Sequence, residues 1–183
     1  VNGLMYTYFM SVREWGPPGQ WDINYGGLAV STDESAESFT KVDGFELDPD
    51  RFGQVAPIVI GDYIYGVGIG GGRFGDAYLL RVPLDGIADS SQYEYYSGDN
   101  SYSPNAEDAT AIFDGPVGEP SIMYNAYLEE YVVTYLEEHM ASIVMRVASE
   151  PTGPWSGPLV IASGRDYPAL YGGFVHEYLT AED

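Results

Sequence analysis

The sequence predicts an all-β fold, a β-propeller of four-stranded antiparallel blades, and three observations carry that expectation. A hairpin unit recurs: Tyr63-Ile64-Tyr65 followed by Tyr78-Leu79-Leu80-Arg81-Val82 returns as Tyr131-Val132-Val133 followed by Ile143-Val144-Met145-Arg146-Val147. A looser copy runs from Leu4-Met5-Tyr6 to Leu28-Ala29-Val30-Ser31. From Leu28 to Leu79 is 51 residues and from Leu79 to Val144 is 65, so the unit is kept while its loops vary. A period of about 50 residues made only of short strands is a propeller signature. The other two observations are the absence of caps followed by a helical apolar period, and the 23 glycines and 12 prolines that punctuate the Tyr, Val, Ile and Phe runs.

The strands are expected, in order, at Leu4 to Val12, Gly27 to Ser31, Val55 to Ile60, Tyr63 to Ile69, Ala77 to Val82, Tyr93 to Tyr96, Ser121 to Tyr124, Tyr131 to Leu136, Ser142 to Ala148 and Leu159 to Ala162. Each is a β-branched or aromatic run closed by Gly, Pro, Asp or Asn. They divide one domain into blade-like units over about 1–50, 51–98 and 106–163, with a further blade beginning at 168–183. The chain opens on Val1 inside an apparent strand and stops at Asp183, as an internal piece of a larger propeller would.

Composition narrows the partners. The 183 residues are 45% hydrophobic, enough for a core. Against 28 acidic side chains stand 7 basic ones, a formal charge of −21 that would repel nucleic acid. Lys41 is the single lysine, an imbalance that fits a secreted or salt-adapted protein as well as a plain solvated surface. Without cysteine there is no disulfide or thiolate chemistry, and no apolar run is long enough to span a membrane. With two histidines and no cysteine, neither a metal nor a cofactor is expected, and the chain is expected to act as a monomer.

The repeat also assigns faces. In an up-and-down blade with strands A to D from the axis outward, A starts at the top, so the B–C loops and the heads of the A strands share one face. Tight Gly61-Asp62 is then a bottom turn, and Arg13 to Asn24, Gly70 to Asp76 and Glu137 to Met140 are top loops. Val55, Glu119 and the Tyr171 to His176 stretch join them. Glu119, in Gly118-Glu119-Pro120, heads an inner strand where its counterpart is apolar Val55; it is either an acid–base group or a structural acceptor of backbone N–H groups. Arg73 lies in Gly70-Gly71-Gly72-Arg73-Phe74-Gly75-Asp76, which lacks the strand–loop–helix setting of a phosphate loop. It is placed to bind a sugar hydroxyl or to pair with a carboxylate such as Asp76. Trp21 and Tyr171 offer flat faces for sugar rings or for packing between blades. Asn24 and His176 can donate and accept at hydroxyls, although a lone histidine is as readily structural. Asp22 and Asp76 are possible carboxylate partners for Glu119, whereas Arg81 and Arg146, at matched strand positions, read as repeat architecture.

Ser31-Thr32-Asp33-Glu34-Ser35-Ala36-Glu37-Ser38-Phe39 resembles the sialidase Asp-box with one residue inserted, a structural turn between strands C and D. The wider pattern is similar to the domain-of-unknown-function 4185 family. Trp21-Asp22-Ile23-Asn24-Tyr25-Gly26-Gly27, Gly72-Arg73-Phe74-Gly75, Tyr93-Glu94-Tyr95-Tyr96-Ser97-Gly98, Gly118-Glu119-Pro120-Ser121, Gly153-Pro154-Trp155-Ser156 and Tyr171-Gly172-Gly173-Phe174-Val175-His176 carry the resemblance in order along nearly the whole chain. It implies a five-bladed propeller, of which about three blades are present, and a secreted or cell-surface glycoside hydrolase of the endo-D-arabinanase kind. The implied partner is a polysaccharide or oligosaccharide, an arabinan-like furanose polymer. The resemblance also implies an acidic pair in the first blade near a Gly-Asp-Thr phrase; here Gly61-Asp62 is followed by Tyr63, so the piece alone is expected to be inactive or nearly so. A propeller that binds sugar or protein without chemistry is the alternative.

Overall fold

The computed structural model describes residue 1 and residues 3–176. The described chain is all-β, in three antiparallel sheets. The first holds β1 (Tyr6–Trp15), β2 (Trp21–Ser31) and β3 (Phe39–Lys41). The second holds β4 (Gln54–Ile60), β5 (Tyr63–Ile69), β6 (Tyr78–Pro83), β7 (Glu94–Gly98) and β8 (Ser101–Ser103). The third holds β9 (Gly118–Asn125), β10 (Glu130–Glu137), β11 (Ser142–Ala148) and β12 (Leu159–Ser163). Order in each sheet follows order in the chain, so each is an up-and-down meander. No described helix is long and apolar enough to cross a membrane.

Alternation places the core. Successive residues of a strand face opposite ways, and in the second sheet both ways are apolar. Ile64, Leu80 and Val82 face Leu28, Phe45 and Phe52 from the first sheet's side. Val67, Ile69 and Leu79 face Ile122, Val133 and Val144 of the third. The second sheet is therefore clamped between its neighbours, and β4 lies against β1 on one side and β9 on the other. Gly68 admits the Phe52 ring, since a Cβ there would stand 2.2 Å from Phe52 Cδ1.

Each expected strand has an observed counterpart, and the Asp-box segment forms the turn between β2 and β3, where Asp33 Oδ1 accepts the Ser35 N–H at 2.9 Å. Gly61-Asp62 is the two-residue turn between β4 and β5, with Gly61 at φ +59°. Two details differ from expectation, and a third lies partly outside the described residues. The sheets have three, five and four strands rather than four each; β3 and β8 are short additions. The expected top loop from Arg13 to Asn24 is mostly strand, because β1 runs on to Trp15 through two register shifts and β2 already begins at Trp21. The unit expected at 168–183 shows no regular secondary structure over 168–176, and 177–183 lie outside the described residues.

Candidate functional site

The three hairpin turns at one end of the sheets converge on Arg73. The β5–β6 loop is stitched to its neighbours by the backbone: Arg73 N donates to Gly19 O at 2.9 Å, and Gln54 Nε2 donates to Gly72 O at 3.0 Å. Gly72 makes that approach possible, since it sits at φ +84° and a Cβ would fall 2.5 Å from Gly19 O. So anchored, Arg73 reaches into the third sheet. Its Nε donates to Glu119 Oε1 at 2.7 Å and its Nη1 to Glu138 Oε1 at 3.0 Å. Glycine at 118 lets the arginine stem lie across the head of β9, with Arg73 Cδ 3.1 Å from where a Cβ would be. The guanidinium stands 4.6 Å from the Tyr171 ring centre and 5.3 Å from that of Trp21. Trp21 is fixed by its indole N–H, which points at Met10 Sδ at 3.0 Å.

The electrostatics follow from burial. Desolvation alone would lower the Arg73 pKa, but its hydrogen bonds to Glu119 and Glu138 outweigh it and hold the guanidinium above its usual value. The two carboxylates differ: the Glu119 side chain is 10% exposed and that of Glu138 25%. Glu119 Oε2 is buried with no hydrogen-bond partner among the described residues. Glu119 also sits at φ +44°, an uncommon conformation for a residue with a Cβ. Beside it opens a cavity of about 260 Å³ walled by Tyr8, Phe9, Met10, Gln54, Glu119 and Phe174, among others.

Of the residues singled out in the sequence, Glu119, Arg73, Trp21 and Tyr171 come together here. Four others do not. Asp76 Oδ1 accepts the Gly115 N–H at 2.7 Å and so ties down the base of its own loop, rather than pairing with Arg73. Asn24 is an exposed residue of β2, bonded to Arg13 Nε at 3.0 Å and to Ser11 Oγ at 3.2 Å. His176 belongs to a different cavity, of about 600 Å³, beside Ile58, Ile122 and Tyr124 further along β4 and β9. Asp22, offered as a partner for Glu119, pairs with Arg13 at 3.2 Å on the surface. The second carboxylate is Glu138, in the Glu137 to Met140 loop expected on the same face as Arg73 but with no side chain of it singled out. Its place in a hairpin turn on the same end as Arg73 was the signal that would have found it. Among the described residues, no group of three or more His, Asp or Glu side chains stands where it could hold a metal ion.

Known proteins bear on this geometry in three ways. The model of the family described as domain of unknown function (DUF4185) matches residues 1–183. Two curated fungal proteins are similar: Notoamide biosynthesis cluster protein J' of Aspergillus versicolor is 33% identical over 98% of this chain and 49% of its own length. Notoamide biosynthesis cluster protein J of an Aspergillus species is 30% identical over 95% of this chain and 48% of its own. The chain thus spans about half the length of the curated relatives it matches. A Bacteroides ovatus crystal structure, described as that of a "putative hydrolase", superposes with a TM-score of 0.66 at 17% identity, covering 89% of this chain and 43% of that one. At that identity the likeness is one of fold.

Proposed function

The chain belongs to the DUF4185 family, and on that premise we propose that its three sheets are consecutive blades of a propeller and that the mouth around Arg73 is the carbohydrate site of a secreted hydrolase. The meandering sheets and their side-by-side order support the propeller. The fold shared with the Bacteroides ovatus protein agrees with hydrolysis as the class of reaction. The observation that carries the reading is one guanidinium holding two carboxylates of unlike burial beneath two aromatic faces. Glycoside hydrolysis asks for two carboxyl groups in different environments about 5 to 10 Å apart, one on each side of the bond. Glu119 is the buried member and Glu138 the open one. Trp21 and Tyr171 are the platforms for a sugar ring, and Arg73 positions both acids.

The substrate class we propose is an arabinan-like furanose polymer, with the remainder of the longer protein completing the funnel. Full-length protein incubated with arabinan is expected to release oligosaccharides, and Glu119→Gln and Glu138→Gln are each expected to lower kcat by about 100-fold or more. Unchanged kcat in both variants would remove this pair from the chemistry. A second reading, a propeller that binds sugar without cleaving it, is favoured by one feature: Arg73 occupies the Oε1 atoms of both acids. Oligosaccharide binding without turnover would decide for it.

A further inference from the structure

The turn that leads into Trp21 carries a second tryptophan. In Trp15-Gly16-Pro17-Pro18-Gly19-Gln20-Trp21 the two indoles close the β1–β2 hairpin as a directly opposed pair, so both stand on one face of the first sheet. Ile23 tells which face it is, because it lies two residues on in β2 and so on the same side as Trp21. Ile23 is buried against the second sheet's backbone: a Cβ at Gly53, just ahead of β4, would stand 2.2 Å from its Cδ1, and one at Gly71, in the β5–β6 loop, 3.2 Å from its Cγ1. The pair thus faces the second sheet and the Arg73 mouth. Trp21 lies beside the guanidinium there, whereas Trp15 is 71% exposed.

Two features set Trp15 apart from an apolar side chain scattered singly at the surface. It adjoins Trp21, with ring centres 5.8 Å apart and planes tilted by 59°, so the flat surface runs on from Tyr171 past Arg73 and Trp21 to Trp15. It is also held in place. Pro17 and Pro18 restrict the turn, Gln20 N donates to Pro17 O at 2.8 Å, and a Cβ at Gly16 would fall 2.0 Å from Gln20 O, so the turn is drawn tight. A platform ordered before binding spares a ligand the entropy of ordering it. Cross-strand packing against Trp21 uses only the covered part of Trp15 and leaves the rest of the ring system open.

We propose that Trp15 is a second sugar platform outside the mouth, which takes the next unit of a polysaccharide chain whose neighbouring unit lies over Trp21 and Tyr171. The inference rests on the carbohydrate reading and deepens it: the ligand is a polymer held over successive units, and Trp15 sets the preference for length. The ring separation is of the order of one sugar unit along such a chain, and the tilt suits a flexible furanose polymer, whose successive rings turn against one another. The probes are methyl arabinofuranoside and an arabino-hexasaccharide, titrated into the full-length protein by calorimetry and NMR. Trp15→Ala should weaken the hexasaccharide about 5- to 10-fold, the scale of one aromatic contact, and leave the single sugar as it was. Trp15→Phe, which retains a flat face, should restore most of the loss. The unaltered protein gives the same answer without a substitution: the hexasaccharide should shift the indole N–H resonances of both Trp15 and Trp21, and the single sugar that of Trp21 alone. An unshifted Trp15 resonance, or unchanged hexasaccharide affinity in Trp15→Ala, overturns the inference and leaves the carbohydrate reading standing. So does an equal loss for both ligands, which would mean that Trp15 acts only by positioning Trp21. Failure of both sugars to bind the unaltered protein overturns the carbohydrate reading as well.

Discussion

Arg73 and Arg81 are built from the same kinds of partner and serve different ends. Arg81, on β6, donates its Nε to Glu94 Oε2 at 2.9 Å and lies 3.6 Å from the ring centre of Tyr102. Glu94 is its cross-strand neighbour on β7 and Tyr102 belongs to β8, so every one of these partners comes from its own sheet. Arg146 repeats the device in the third sheet, where its Nε donates to Tyr135 Oη at 2.8 Å and its Nη1 to Ser156 O at 2.6 Å. Arg73 instead draws Trp21 from the first sheet and Glu119 and Glu138 from the third. The local nests leave no buried carboxylate oxygen unpaired, whereas the cluster between sheets leaves Glu119 Oε2. An arginine whose hydrogen bonds serve its own sheet is architecture, repeated in the second and third sheets. One that draws acids across a boundary, and leaves one of them wanting a donor, marks a site.

The largest test of that contrast is Arg73→Ala. It strands the nine-tenths buried carboxylate of Glu119 without its counter-charge, and breaking such a pair costs about 3–5 kcal/mol. Urea unfolding of the full-length protein should show a loss of that size, together with loss of ligand binding at the mouth. A loss below about 1 kcal/mol would place Arg73 with the surface pairs.

Alkali should probe the Arg81 side of the molecule next. Tyr95 follows Glu94 on β7 and packs 4.9 Å from the Phe52 ring; burial pushes its phenol up to about 12 from 10.0. The folded chain therefore keeps a proton that the unfolded chain gives up. Stability is full below pH 10 and falls as the pH climbs from 10 towards 12. A gap of about two pH units corresponds to about 3 kcal/mol. Tyr95→Phe should flatten that slope in unfolding measured at pH 9 and pH 11; an unchanged slope would assign the alkaline loss to other groups.

Much of this contrast was legible in the residues. The paired runs at Tyr63, Tyr78, Tyr131 and Ile143 gave the hairpins, and counting strands up and down gave the end on which Arg73, Glu119, Trp21 and Tyr171 meet. The strands β3 and β8 escaped because three residues, Phe39-Thr40-Lys41 or Ser101-Tyr102-Ser103, are too few to display alternation. Asn24 was misplaced because the β1–β2 hairpin is longer than its counterparts, and three residues of strand beyond Trp21 carry its side chain well away from the turn. His176 was misplaced because its segment packs beside Ile58, Ile122 and Tyr124, further along β4 and β9, and how far along a strand a neighbouring segment lies leaves no mark on composition. The pairing of Glu138 with Arg73 spans two sheets, and no local pattern reports a contact 65 residues apart.

Gly72→Ala separates the placement of Arg73 from its charge. Gly72 sits at φ +84° with Gly19 O where a Cβ would go, so alanine strains the loop and parts it from the β1–β2 turn. A cost of about 1–3 kcal/mol is expected, with weakened ligand binding although every charge is retained. Gly75→Ala, three residues on in the same loop, meets nothing within 4 Å and has no positive φ, and it should be silent in both measurements. Equal effects at the two glycines would mean that the loop's position does not govern the mouth.

The smallest effect is expected at Arg81. Its side chain is 26% exposed and that of Glu94 42%, so solvent screens the pair and its contribution is about 0–1 kcal/mol. The contact with Tyr102 adds about 0.5–1 kcal/mol, because a cation at an open ring face is only partly desolvated. Arg81→Ala should therefore cost about 1 kcal/mol in urea unfolding and leave ligand affinity as it was, since none of its partners reaches the mouth. Should Arg81→Ala abolish binding as completely as Arg73→Ala while costing so little stability, origin within one sheet would no longer distinguish architecture from site. The second sheet would then be coupled through β5 and β6 to the head of β9, and the two arginines would be parts of one device.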